Sequence, residues 1–140
     1  MEPRILPLSG AEADDVAARR RWLLGHYAPG SEGQYDTLAG KLSLVDTILR
    51  NGWIEPCETV KLQCLGVAFG DALCQDLGMH WVLVEDEHGR DPALTVEGTS
   101  IRVFPLTTIS KRVESGAEVD VYELFSSACK TISRIRRGDA

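Results

Sequence analysis

Glu85, Asp86, Glu87, His88, Gly89, Arg90 and Asp91 form the densest run of reactive side chains in the chain, with four carboxylates, an imidazole and a guanidinium in succession. Carboxylates beside a histidine can ligate Mg²⁺, Mn²⁺ or Zn²⁺. The same charges can also recognise another protein. The spacing is not that of an EF-hand, which needs D-x-D-x-D-G and a glutamate at its twelfth position. Gly89 and Pro92 mark Glu85–Pro92 as a turn, and a hairpin tip is charged simply because it is wet. Within it Arg90 suits a structural task, pinning neighbouring carboxylates, and Asp91 could bond backbone amides ahead of Pro92. The candidate binding residues are therefore Glu85, Asp86, Glu87, His88, Arg90 and Asp91, and no catalytic residue, metal ligand or cofactor is assigned.

Asp71 is a second candidate, a carboxylate directly after Gly70 on a largely apolar helix. An acid held there needs a partner. Lys111 or Arg112 on another element could supply one. His26 and His80 stand alone beside apolar runs and read as hydrogen-bonded or exposed side chains. The cysteines are Cys57, Cys64, Cys74 and Cys129. With no C-x-x-C pair and three of them expected on one helix, too far apart along it to bridge, they read as free, buried thiols of a reducing compartment. The chain lacks G-x-S-x-G, phosphate-loop and dinucleotide signatures, since its G-x-x-x-G lies inside a helix.

These residues must be positioned by the elements around them, and Pro56–Gly78 is the stretch on which the others are expected to pack. Leu62, Leu65, Phe69 and Leu73 recur at spacings of three and four, Val67 and Cys74 flank them, and only Lys61, Asp71 and Gln75 form a polar strip. Pro56 at the first helical position and Gly78 just past the end suit a helix start and stop. Gly66 and Gly70 leave a groove where another backbone could approach. Before it, Ser9 with Glu12 reads as a capping box opening a helix to about His26, with Val16, Ala17, Leu23 and Leu24 inward. Ser31 with Gln34 reads as the cap of a second helix carrying the stripe Tyr35, Leu38, Leu42, Val45 and Leu49. After Gly78 the period falls towards two, predicting strands at Trp81–Val84, Ala93–Val96 and Ile101–Phe104. Pro105 then opens a short helix to Glu114, and Asp120 with Glu123 caps a last one whose buried side is Val121, Leu124, Phe125, Ala128, Ile132 and Ile135. The expected fold is α+β, a single domain over residues 1–140, with helices on one face of a three-stranded antiparallel sheet in the order ααα-βββ-αα.

The net charge of -6, from 15 basic and 21 acidic residues, argues against nucleic acid as the main partner, because affinity there comes from Lys and Arg neutralising phosphates. The basic residues that do cluster are Arg19–Arg21 and those of the last helix. No stretch is apolar enough to span a membrane and the N-terminus lacks a signal-peptide core, so the expected location is the cytoplasm, with neither nucleic acid nor membrane as partner.

The segment KLQCLGVAFGDALCQDLGMHWVLVEDEHGRDPAL (Lys61–Leu94), continued by FPLTTISKRV (Phe104–Val113) and VDVYELF (Val119–Phe125), resembles the bacterial family catalogued as domain of unknown function 3806. Its L-G-x-x-x-G-D, acidic G-R-D turn and F-P-L-T occur in the family's order. The resemblance extends over about residues 34–136. It implies a fold and a bacterial cytosolic setting and transfers no catalytic residue.

The expectation is a non-enzymatic intracellular protein-binding module acting through the acidic hairpin, one concrete form being an immunity or adaptor protein that masks a basic surface on a partner such as a toxin. The alternatives are a metal-dependent hydrolase using Glu85, Asp86, His88 and Asp91, and a structural homodimer.

Overall fold

Helix α3, Thr59–Leu77, has ten buried residues distributed around its circumference, from Leu62 to Leu73, so neighbours are needed on nearly every side. A computed structural model, which describes residues 2–138, supplies them. In chain order they are β1 (Arg4–Pro7), α1 (Gly10–Leu24), a short 3-10 helix (Glu32–Asp36), α2 (Leu38–Arg50), α3, β2 (His80–Asp86), β3 (Gly89–Thr95), β4 (Arg102–Val103), α4 (Pro105–Glu114) and α5 (Val121–Arg136). The α+β class is as expected. The sheet, however, has four strands in the order β1-β2-β3-β4, all antiparallel, and the chain begins with a strand.

β1 pairs Ile5 with Val84 and Leu6 with Leu83. Four residues that follow one proline and end on another carry no readable alternation, and their partner lies almost eighty positions away. β2 and β3 also extend further than the apolar residues alone indicate. Their ladder continues through Val84↔Asp91 and Glu85↔Arg90 to Asp86↔Gly89, so most of the supposed turn is strand and only Glu87 and His88 make the tip. β4 is cut to two residues because Phe104 already serves as the N-cap position of α4.

Side chains two apart share a face of a strand, and Trp81 with its cross-strand neighbour Leu94 faces the helices and joins their core. The glycines of α3 admit α4 and β2 to close range. A Cβ on Gly66 would lie 2.3 Å from the Pro105 carbonyl oxygen, and one on Gly70 would lie 2.6 Å from Trp81 Cζ2 and 2.9 Å from Pro105 Cγ. Phe125 of α5 meets Phe69 of α3 edge-on at 5.9 Å.

Several helix ends differ from expectation. α3 starts at Thr59, not Pro56, because a turn closed by the Glu58 amide on the Glu55 carbonyl (2.9 Å) precedes it. Cys57 therefore lies ahead of the helix and is exposed. The αL stop at Gly78, φ 67°, is as expected. No capping box forms at Ser9, whose hydroxyl turns back to donate to the Pro7 carbonyl (3.3 Å). Ser31 opens the 3-10 helix, which takes Tyr35. Thr37 caps α2 instead, its Oγ1 accepting from the Gly40 amide at 2.9 Å. Asp120 does cap α5, accepting from the amides of Tyr122 and Glu123, while Ile135, expected inside, is half exposed.

Candidate functional site

The hairpin disperses the acidic run among distinct tasks. Glu85 accepts from Arg4 of β1 and lies 3.6 Å from Arg90, which also reaches Glu12 of α1 at 3.4 Å. The Arg4 guanidinium, more than any other group, holds the Glu85 carboxyl below its ordinary pKa. Glu85 and Arg90 thus tie β1, β2, β3 and α1 together, and Arg90 pins carboxylates as its position suggested. Asp86 Oδ1 accepts from the His88 amide at 2.8 Å, closing the tip, and Gly89 follows at φ 125°, where a side chain would be strained. His88 Nε2 faces Glu87 at 3.6 Å and is largely exposed. Asp91 caps no amide: among the described residues its side chain has no partner. No group of three His, Cys, Asp or Glu side chains among the described residues could hold a metal ion, so Glu85, Asp86, His88 and Asp91 do not assemble as the ligand set that a metal-dependent hydrolase needs.

Beside the hairpin lies a groove of ≈ 660 Å³. Its origin is the brevity of β4, which pairs only with Leu94 and Thr95 and leaves Gly89–Ala93 without a strand on their outer side. Pro92 deprives that open edge of an N–H, a device that discourages strand addition. One wall is the hairpin, through Asp86, His88, Arg90, Asp91 and Pro92, and the second is the α1 face bearing Glu12, Asp15 and Arg19. Gln63 of α3 lies between, and Phe104 with Leu106, Thr107 and Lys111 of α4 closes the far side. Arg19 donates from Nη2 to Gln63 Oε1 at 3.2 Å, while its Nε is enclosed and has no acceptor. Four of these residues, Asp86, His88, Arg90 and Asp91, are binding candidates from the sequence alone, whereas Arg19, Gln63, Phe104 and Lys111 are not. The spacings of four in Asp15–Arg19 and Thr107–Lys111 are the available signal.

Asp71 belongs to a different structure. Arg20 of α1 donates to both its oxygens at 2.8 Å, Tyr35 Oη donates at 2.5 Å and Trp81 Nε1 at 3.0 Å. Its partner is thus Arg20 and neither Lys111 nor Arg112. Burial, and then Asp71, push the Tyr35 hydroxyl pKa far up, so the phenol stays a donor. With every donor spoken for, this carboxylate is a clasp joining α1, the 3-10 helix, α3 and β2. His26 Nδ1 donates to the Trp22 carbonyl at 2.9 Å and the ring stacks on Trp53, whereas His80 is exposed on β2.

A model of the family described as Domain of unknown function (DUF3806) matches residues 41–125. No curated protein matches the chain. A protein of Bacteroides thetaiotaomicron with a solved crystal structure shares the fold, with a TM-score of 0.73 and 17% sequence identity over 92% of this chain. The match spans 48% of that protein's length. Among the described residues no helix is long and apolar enough to cross a membrane.

Proposed function

Because the chain belongs to the DUF3806 family, whose description carries no activity, we propose a function from the geometry: a non-enzymatic, cytoplasmic protein-binding module that grips its partner with the β2–β3 hairpin and the groove beside it. The observation that carries this reading is the groove's set of unspent groups. Glu85 and Glu12 are neutralised by Arg4 and Arg90, yet Asp15, Asp91 and Lys111 are left without partners among the described residues and Phe104 stands 41% exposed among them. A fold keeps its charges at a wet surface at little cost, but an exposed aromatic ringed by unpaired charges of both signs is how protein interfaces are composed. The four free thiols support the cytoplasmic setting. Internal pairing also revises the idea of an acidic mask, because the hairpin meets a partner with mixed charge and not with its full count of carboxylates.

The test is a photo-crosslinking side chain placed at His88 and, as a control, at Ser127 on α5, each in the native cell. One discrete adduct from His88 alone, lost when Asp91→Lys is added, is expected. Adducts that are absent, or the same at both positions, would refute binding through the hairpin.

A further inference from the structure

We infer that the hollow between α2, the start of α3 and the α4–α5 link binds a small amphiphile, a primary ammonium group carried on an aliphatic body. The inference goes beyond the protein-binding reading, since none of the residues around this hollow lines the groove beside the hairpin. Ile48 of α2 and Leu62 of α3 are fully buried and form its floor. Leu49, Ile54 and Val113 pack against the core and also line the hollow, and Val119 of the link completes the apolar wall. Residue 54 and residues 117–120 belong to links and not to helices, so this corner of the core is closed by irregular chain and stays open. Its volume of ≈ 580 Å³ falls within the roughly 300–1,000 Å³ of small-molecule sites.

The lip decides the ligand's charge. Asp46, Arg50, Glu118 and Asp120 are the charged residues that line the hollow. Arg50 is spent on Asp46, Nε to Oδ2 at 3.0 Å. Asp120 uses Oδ1 to cap α5, accepting from the Tyr122 and Glu123 amides, and its Oδ2 has no partner among the described residues. Glu118 is exposed and likewise has none among them. One guanidinium against three carboxylates leaves two negative charges unanswered, and their residues flank Val119 of the apolar wall. An aliphatic body lying on the floor therefore presents its head group to carboxylates, and a cation is what they accept. Among the described residues no aromatic side chain lines the hollow. A quaternary ammonium has no N–H and relies on aromatic faces, whereas a primary ammonium brings three donors that carboxylates can accept. The head group is accordingly a primary one.

Titration calorimetry with octylamine, octyltrimethylammonium, octanol and octanoate, each below its micelle concentration, provides the test. The parent should bind octylamine at least about tenfold more tightly than the other three, the worth of one charge-assisted hydrogen bond. Amide NMR shifts on adding octylamine should cluster in residues 46–54 and 113–120. Glu118→Gln with Asp120→Asn removes both unanswered charges while asparagine keeps the helix cap. That protein should stay folded in urea and bind octylamine no better than octanol. Val119→Trp, and Ala117→Leu as a milder filling of the hollow, should weaken octylamine and octanol alike. Octanol or octanoate binding as tightly as octylamine, a double variant that keeps the preference, shifts centred elsewhere, or no saturable binding would overturn the inference. Such a failure leaves a His88 adduct untouched, and loss of that adduct leaves this site standing, so the two readings fail separately.

Discussion

Replacing Asp71 with alanine tests whether a single carboxylate fastens α1, the 3-10 helix and β2 to the central helix. The side chain is 12% exposed and that of Arg20 is 34% exposed. Removing one partner of a buried ion pair costs about 3–5 kcal/mol, because the other is left charged and unpaired. Arg20 can recover part of that from water, which lowers its share, while Tyr35 and Trp81 each forfeit a hydrogen bond of about 1 kcal/mol. The expected loss is about 3 kcal/mol, and at a urea slope of about 2 kcal/mol/M the midpoint falls by about 1.5 M. A double-mutant cycle with Arg20→Ala isolates the pair, and a coupling of about 1–3 kcal/mol is expected. Tyr35→Phe, which removes only one donor, should cost about 1 kcal/mol. An Asp71→Ala protein within about 0.5 kcal/mol of the parent, the range of ordinary surface changes, would refute the clasp. So would strict additivity in the cycle.

Gly66→Ala should destabilise by about 2 kcal/mol in urea despite a helix-propensity gain of about 1, because the added Cβ meets the backbone of Pro105 and Leu106 and α4 must move; a variant as stable as the parent would mean that α4 is free to shift. Cys57 should alkylate first at pH 8, since it alone is exposed, while burial, then Asp71 for Cys74 and Asp76 for Cys129, push those thiols up to about 11. Their folded values exceed the ordinary 9.0, so the neutral thiols favour the native state fully below about pH 9 and lose that contribution as pH rises towards 11. Stability in urea should fall across that window and fall less in the Cys74→Ala, Cys129→Ala protein.

What the sequence discloses follows the range of the interaction involved. Local signals were legible: the apolar girth of α3, the αL stop at Gly78, the Asp120 cap and the period change at Trp81 each depend on neighbours within a turn or two. Gly66 and Gly70 could be read as a groove, but nothing local said that Pro105 and Trp81 would fill it. β1 was hidden because four residues acquire strand character only from β2, and Ser9 lost its cap because that strand brings the Pro7 carbonyl within reach of its hydroxyl. Asp71 is legible as an acid in need of a cation, yet Arg20 sits in a run of three arginines that gives no hint which one turns inward. Arg19 and Arg20 are adjacent and face different fates, the first in the groove and the second in the clasp.

The same separation explains why the acidic run was only half informative about the site. Counting charges treats Glu85, Asp86, Glu87 and Asp91 as equivalent, whereas the antiparallel ladder assigns them different neighbours. Val84↔Asp91 and Glu85↔Arg90 are adjacent rungs, so their side chains leave the sheet on opposite faces. Glu85 emerges where Arg4 and Arg90 can neutralise it, and Asp91 emerges, among the described residues, without a cation. Pairing removes a carboxylate from recognition as surely as burial does, because a partner would have to break the internal pair before making its own. The residues left for binding are those that the fold has oriented without satisfying. On α1 and α4 these are Asp15, Arg19 and Lys111, none of which lies in the acidic run Glu85–Asp91.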